Sequence, residues 1–175
     1  MEIPCRDIKK AFKINIILLD IDDTILPTSR TWIGEFEDSL ETLTINCKRL
    51  SRMCKLWGLQ IRIISSWSNG SLDYIDNDLK YINKSIKDYY VFEKKAFDII
   101  YKYLNEYIIG ISSGNKERDI KNAIQDKSIN NVFVIEDTDY SANCNIRNHS
   151  YYIKSEGYIS NRIIYKIGKI LNKTL

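Results

Sequence analysis

Carboxylates are crowded at the end of an apolar run near the start of the chain. Residues 16–26 read IILLDIDDTIL, in which Asp20, Asp22 and Asp23 follow a stretch of apolar residues and Thr24 comes next. Carboxylates at this spacing repel one another, and at the edge of a core each costs several kcal/mol to desolvate unless a cation or protons compensate for it. The stretch therefore predicts a site that binds a cation.

Two later apolar runs also end in polar side chains. The run IRII is followed closely by Ser65, and NVFVI is followed by Glu136 and Asp137, with Asp139 as a further carboxylate nearby. If these runs are strands of one parallel sheet, their carboxyl ends lie side by side, and carboxylates far apart in sequence meet in one pocket. Mg²⁺ suits such a pocket because it is a hard cation that usually binds one or two carboxylates together with substrate phosphate.

The elements that would position these residues alternate between strands and helices. Apolar runs predict strands at residues 14–20, 59–66, 107–112, 131–137 and 151–154. Apolar residues at three- and four-residue steps predict helices at residues 35–57, 71–82 and 93–105, another capped by Asn115, and one from residue 160 onward. The alternation indicates a single α/β Rossmann-like domain over residues 1–175, with an open, mainly parallel sheet and helices on both faces.

Composition narrows the class of protein further. With 175 residues, 44% of them apolar and 28% charged, the chain can bury one core without disulfides. The formal charge of +3 tolerates an anionic substrate but does not require nucleic acid. The four cysteines form no C-x-x-C pair, and no apolar stretch approaches the roughly 20 residues that cross a bilayer. We therefore expect a cytoplasmic protein with reduced thiols and no membrane partner.

The motifs together resemble those of a known family. ILLDIDDTI resembles the D-x-D-x-T signature of the haloacid dehalogenase (HAD) superfamily of phosphotransferases. Ser65 resembles its second motif, and VFVIED resembles its fourth. The third motif is a lysine that opens a helix. Lys116 is the preferred candidate because its helix leads directly into NVFVIED, and Lys94 and Lys95 are alternatives because they are also predicted to open a helix.

This resemblance implies a phosphatase that works through a phosphoaspartyl intermediate. Asp20 would attack phosphorus and carry the phosphoryl group, and Asp22 would act first as general acid and then as general base. Ser65 and Lys116 would bind the phosphoryl oxygens, with Thr24 holding the geometry of the phosphate-binding loop. The presence of the second aspartate, Asp22, favours hydrolysis of a phosphate ester over other reactions of the family.

The resemblance also implies a Mg²⁺ site. Its ligands would be the Asp20 side chain, the Asp22 backbone carbonyl and Asp137. Glu136 departs from the commoner Asp or Gly at its position, so either Glu136 or Asp137 can be the residue that touches the metal. Asp23 occupies a variable position of the signature and is expected to be structural.

The substrate class follows from the small size of the expected cap. Only a short flap at about residues 25–35 fits between the first strand and the first helix, and no large cap domain is expected. An open pocket suits a macromolecular end or a substrate that a partner closes off, so the candidates are a nucleotide, the 3′- or 5′-phosphate end of a nucleic acid and a phosphoprotein. A phosphorylated small molecule remains an equal candidate. The alternative is a phosphate-binding module without turnover, either a HAD-fold adaptor or a protein like a response-regulator receiver domain.

Overall fold

The computed structural model describes residues 13–28, 36–65, 84–112 and 114–172. The predicted helix at residues 71–82 and most of the predicted flap at residues 25–35 lie outside this part of the chain. Within it, strands and helices alternate in the order β1 (Ile14–Leu19), α1 (Phe36–Trp57), β2 (Leu59–Ile63), α2 (Lys84–Leu104), β3 (Ile108–Ile111), α3 (Lys116–Gln125), β4 (Ile129–Glu136), α4 (Ser141–Cys144), β5 (Ser150–Lys154) and α5 (Asn161–Asn172).

The five strands form one parallel sheet in the order β3-β2-β1-β4-β5. β1 lies at the centre, where Leu19 pairs with Ile63 of β2 on one side and with Ile135 of β4 on the other. Its residues from Ile16 to Leu19 are fully buried, which explains why the strand reads as a continuous apolar run. The carboxyl ends of β2, β1 and β4 therefore lie side by side.

Helices cover both faces of the sheet. Helices α1, α2 and α5 pack against one face, where Ile17 and Leu19 of β1 belong to the larger core. Helices α3 and α4 pack against the other face, where Ile16 and Leu18 enter a second, smaller core. Successive side chains of a strand point to opposite faces, so β1 supplies both cores. The arrangement confirms the predicted α/β fold with an open parallel sheet and helices on both faces.

One predicted helix start is wrong. Helix α2 begins at Lys84, so Lys94 and Lys95 lie in its interior and do not open a helix. Its first turn contains no acidic residue, although Asn83, a residue type that favours the N-cap position, directly precedes Lys84 in the sequence. The short helix α4 was also not predicted, because four residues are too few to show a periodic pattern. None of the helices in the described part of the chain has the length and apolar character needed to cross a membrane.

The strand order places a crevice between β1 and β4. The chain moves outward from β1 to β2 and β3, then returns to the other side of β1 to form β4 and β5. In open α/β sheets ligands bind beyond the carboxyl ends of the strands, at the point where the order reverses. The residues that follow β1 and β4 therefore occupy the position where a ligand is expected.

Candidate functional site

Asp20 is the residue that follows β1, and it is almost fully buried. Its backbone N–H donates to the carbonyl of Ile135 on β4 (3.2 Å), which continues the pairing of the two strands. Oδ2 of Asp20 accepts a hydrogen bond from the Thr24 hydroxyl (3.3 Å), and Oδ1 lies 2.9 Å from Nζ of Lys116. The carboxylate is thus held in one orientation at the centre of the sheet edge.

Two carboxylates from the end of β4 face Asp20. Oxygen atoms of Asp20, Glu136 and Asp137 all lie within 4.8 Å of one another. Glu136 is fully buried, and its Oε1 accepts a hydrogen bond from Lys116 (3.2 Å). Both acidic residues at the end of β4 belong to the cluster. The geometry therefore does not single out Glu136 or Asp137 as the residue that touches a metal.

Lys116 reaches this cluster from the first turn of α3. The side chain of Asn115 caps the helix by accepting a hydrogen bond from the Arg118 N–H (3.0 Å), as the sequence predicted. Just before the helix, the Ser112 hydroxyl donates to Asp119 (2.6 Å) and accepts from the Gly114 N–H (2.9 Å). These contacts tie Ser112 and Gly114 to Asp119 in the first turns of α3, the helix that carries Lys116.

The alternative lysines lie elsewhere. Lys94 and Lys95 are exposed on α2, and Lys95 pairs with Glu37 of α1 at 3.3 Å on the protein surface. Of the three lysines considered, Lys116 is the one whose ammonium group contacts Asp20.

One lysine does not balance the negative charge of the cluster. Burial raises the pKa of Glu136 to about 8, and the nearby Asp20 carboxylate adds to this effect. Burial also raises the pKa of Asp20, because it outweighs the opposing effect of Lys116. The pKa of Lys116 is itself raised, since its contacts with Asp20 and Glu136 outweigh burial. The folded protein therefore favours protons, or a cation, at this position.

Oxygen atoms without a hydrogen-bond partner also indicate that the site favours protons or a cation. Among buried side-chain atoms of the described residues, Oε2 of Glu136 and Oδ1 of Asp22 have no hydrogen-bond partner. Buried polar atoms are seldom left in this state without an ion or water nearby. An all-oxygen set of carboxylates is the donor set that Mg²⁺ prefers, so the residues present fit this cation.

Asp22 lies in a tight turn after Asp20. The turn closes where the Asp23 N–H donates to the carbonyl of Leu26 (2.8 Å), with Asp23 in the left-handed region at a φ of 49°. Asp22 is half-buried, and burial together with the charges of Asp20 and Asp23 raises its pKa to about 7. A group that titrates near neutral pH can both give and take a proton at working pH.

Thr24 and Ser65 were also predicted from the sequence. The buried Thr24 hydroxyl donates to Asp20 and accepts from the N–H of Asp137 (3.1 Å), so it links the residues that follow β1 and β4. Ser65 is fully buried and follows β2, whose last residue, Ile63, pairs with Leu19 of β1. Both residues therefore lie at the same edge of the sheet as Asp20.

Asp139, the further carboxylate close to β4, is not part of the acidic cluster. Its Oδ1 accepts a hydrogen bond from the Ser141 N–H (2.8 Å) at the start of α4. Hydrogen bonds from Ser141 lower the pKa of Asp139, as expected for an exposed carboxylate that accepts hydrogen bonds from a residue two positions along the chain.

Three residues near the site were not identified from the sequence. Glu93 lies buried on α2, and its charge raises the pKa of Asp22 further. The Tyr152 hydroxyl donates to the backbone carbonyls of Glu136 (3.3 Å) and Asp137 (3.4 Å). Tyr140 is close enough to interact electrostatically with Lys116. A signal existed only for Glu93, which occupies an apolar position of the helical pattern beside Phe92 and Ala96.

No protein-family model, curated protein or solved structure matches the chain. The geometry of the site is therefore the basis for its interpretation.

Proposed function

We propose that this protein is a Mg²⁺-dependent phosphatase of the HAD type that hydrolyses a phosphate monoester. The observation that carries the proposal is the meeting of Asp20, Glu136 and Asp137 at one sheet edge, with Lys116 2.9 Å from Asp20. Phosphoryl transfer requires mainly positioning and stabilisation of charge, and this group of residues supplies both. Thr24 and Ser65 complete the set at the same edge.

Asp20 is the proposed nucleophile. Its carboxylate attacks phosphorus in line with the leaving oxygen, so that an Asp20–phosphorus bond forms while the bond to the leaving oxygen breaks. Thr24 and Lys116 hold the two carboxylate oxygens through contacts at 3.3 Å and 2.9 Å, respectively. Lys116 also supplies positive charge beside the phosphoryl oxygens, and Ser65 donates a hydrogen bond to one of them.

Asp22 is the proposed acid and base. In the first step its carboxyl group gives a proton to the leaving oxygen. In the second step the resulting carboxylate takes a proton from water, the water oxygen bonds to phosphorus, and the bond from Asp20 to phosphorus breaks. A pKa of about 7, raised by burial and by the charges of Asp20 and Asp23, suits both steps.

The residues that would hold Mg²⁺ are Asp20 and Asp137, with the backbone carbonyl of Asp22 and the carboxylate of Glu136 beside them. Oxygen atoms of the three side chains lie within 4.8 Å of one another. The bound cation would neutralise carboxylate and phosphate charge. Glu136 also contacts Lys116 at 3.2 Å, so it links the cation site to the phosphate-binding lysine.

A phosphate-binding module without turnover is the alternative. The receiver type is disfavoured by the strand order, which is 2-1-3-4-5 in receiver domains and β3-β2-β1-β4-β5 here. An adaptor without turnover would not require both a nucleophile and an acid, so the presence of both Asp20 and Asp22 favours the enzyme.

The reducing cytoplasm is the proposed location. Cys47, Cys54 and Cys144 are buried free thiols, and thiols of this kind are typical of reducing compartments.

Phosphate release tests the proposal. The substrates are p-nitrophenyl phosphate and a panel of nucleotides, with and without Mg²⁺, and the variants are Asp20→Asn and Asp139→Asn. Asp139 is a matched control because it lies outside the acidic cluster. We expect turnover that needs Mg²⁺, is lost in Asp20→Asn and persists in Asp139→Asn. Turnover that survives Asp20→Asn would overturn the covalent mechanism, and Mg²⁺ binding without turnover would favour the adaptor.

A further inference from the structure

A cleft leads away from the acidic cluster on the side of β5. One cavity of about 490 Å³ begins at Asp137 and Asp23 and extends to Lys154 and Tyr158. A second cavity of about 640 Å³ shares Lys154 and Tyr158 with the first and continues along the start of α5. The two cavities share Lys154, Glu156 and Tyr158, so they adjoin each other, and together they are here called the exit cleft.

The walls of the exit cleft are held by a buried asparagine. Nδ2 of Asn46, a fully buried residue of α1, donates to the carbonyls of Ile25 (2.7 Å) and Gly157 (2.9 Å). Its Oδ1 accepts from the N–H of Ile159 (2.8 Å). These bonds join the loop after β1 to the loop after β5, so the cleft is shaped before any ligand arrives.

An aromatic ring is fixed beside the exit cleft. The Arg49 guanidinium lies 4.6 Å from the centre of the Tyr158 ring, and its Nη1 donates to the carbonyl of Ile159 (2.7 Å). The Tyr158 side chain is nevertheless 41% exposed. A ring held in this manner is a platform on which a nucleic-acid base can stack.

Positive charge dominates the far part of the cleft. Lys154, Arg162 and Lys166 line it, against one carboxylate, Glu156. Glu156 pairs with Lys154 at 2.8 Å, so the charges of Arg162 and Lys166 are left in excess. Arg162 lies in the first turn of α5, where the positive end of the helix dipole adds to the attraction for anions, and Lys166 lies one turn further along the helix. The exit cleft thus contains both an exposed aromatic ring and, further from the acidic cluster, several cationic side chains.

We propose that the exit cleft binds a single-stranded nucleic acid whose phosphorylated end lies at Asp20. This inference rests on the proposed phosphatase function, since it assigns the substrate of that same site. The first nucleotides of the strand run past Tyr158, which stacks on a base, and the following phosphodiesters contact Arg162 and Lys166. A mononucleotide would reach the near cavity only, and the second cavity with its cations would have no role.

Binding is tested first, without turnover. Fluorescence anisotropy in EDTA measures the affinity of wild-type protein for DNA and RNA single strands with a 5′- or 3′-phosphate. The variants are Tyr158→Ala and the double variant Arg162→Ala/Lys166→Ala. Matched controls are Tyr165→Ala and Lys169→Ala, both exposed on α5 and outside either cavity. Thermal unfolding verifies that each variant is folded.

The cleft variants are expected to weaken binding and the controls to leave it intact. Loss of a stacked base corresponds to a decrease in affinity of about fivefold or more. Each lost phosphate contact lowers the slope of log affinity against log salt by about 0.7 for a single strand. Absence of binding, or equal effects of Tyr165→Ala and Lys169→Ala, would overturn the assignment of the cleft.

Turnover then separates this inference from the proposed function. With Mg²⁺, the cleft variants are expected to lower kcat/KM for the phosphorylated strand about tenfold more than for p-nitrophenyl phosphate, in line with the lost phosphate contacts. If all substrates are hydrolysed and the cleft variants affect them equally, the inference fails and the phosphatase stands. If strands bind through the cleft but no substrate is hydrolysed, the phosphatase proposal fails and the binding site stands. Preferential hydrolysis of a phosphopeptide through the same residues would overturn the choice of nucleic acid.

Discussion

The ammonium group of Lys116 lies 2.9 Å from Oδ1 of Asp20 and 3.2 Å from Oε1 of Glu136. The contact joins the first turn of α3 to the ends of the two strands between which the strand order reverses. One ammonium group cannot neutralise three carboxylates whose oxygens lie within 4.8 Å of one another. The remaining negative charge favours a divalent cation at this position.

Removal of Lys116 should impair catalysis severely. Lys116→Ala is expected to lower kcat/KM about 10²-fold or more, because it removes a preorganised positive charge beside the reacting group. Lys94→Ala and Lys95→Ala are matched controls, since both residues are exposed on α2. Steady-state kinetics with p-nitrophenyl phosphate measure the effect. Loss of activity in either control but not in Lys116→Ala would show that the assigned lysine is wrong.

The effect of removing Asp22 on kcat should depend on the leaving group of the substrate. Asp22→Asn is expected to lower kcat by about 10²–10⁴-fold for an alkyl phosphate, whose leaving oxygen needs a proton. The loss should be smaller for p-nitrophenyl phosphate, because nitrophenolate leaves without protonation. Asp23→Asn, one residue further along the same turn, is the control and should retain activity with both substrates. An equal loss with the two substrates in Asp22→Asn would contradict the role of Asp22 as acid.

The stability of the metal-free protein should fall as pH rises. Burial raises the pKa of Asp22 to about 7 and that of Glu136 to about 8, from ordinary values of 3.8 and 4.5. At pH values between the ordinary and the raised pKa of these groups, the folded state binds more protons than the unfolded state. The free energy of unfolding therefore decreases as pH rises through this range. Thermal unfolding in EDTA should give a lower Tm at about pH 8 than at about pH 5.

Mg²⁺ should restore the stability that the metal-free protein loses as pH rises. The gain in Tm should be larger at the higher pH, because deprotonated carboxylates bind the cation. Glu136→Gln is the informative variant, because it removes one of the carboxyl groups whose pKa is raised and should flatten the dependence of Tm on pH. A Tm in EDTA that increases from the lower to the higher pH would contradict the raised pKa values.

The buried network of Asn46 should be important for stability. Asn46→Ala leaves the carbonyls of Ile25 and Gly157 and the N–H of Ile159 without their present partner. We expect a decrease of roughly 2–5 kcal/mol in the free energy of unfolding, measured by urea denaturation. The control is Asn122→Ala, an exposed position on α3, where alanine should be neutral or slightly stabilising. Equal unfolding curves for wild type and Asn46→Ala would contradict the network.

Much of the fold could be predicted because its signals are local. The continuous apolar pattern of β1 follows from burial on both faces of the sheet, and Asn115 marks the start of α3 by its capping chemistry. The placement of Asp20 and Asp137 at one edge followed from the rule that parallel strands end together. Within the described residues these predictions needed no knowledge of which strand lies beside which.

The unpredicted features depend on contacts between distant parts of the chain. The start of α2 at Lys84 has no acidic residue in its first turn, and Asn83 before it is a weak signal by itself. Glu93 becomes relevant only because α2 brings it close to Asp22, and Tyr152 only because β5 pairs with β4. The inclusion of both Glu136 and Asp137 in the cluster likewise required the geometry of the strand end.

Asp20 is the proposed carrier of the phosphoryl group, and trapping of the phosphoaspartyl intermediate tests this role. Wild-type protein is mixed with substrate labelled in its phosphoryl group, quenched in acid within the first turnover, and digested for mass spectrometry. Label is expected on the peptide that contains Asp20, and it should depend on Mg²⁺ and be absent from Asp20→Asn. Phosphate release without label on this peptide, or turnover that persists in Asp20→Asn, would contradict this role of Asp20.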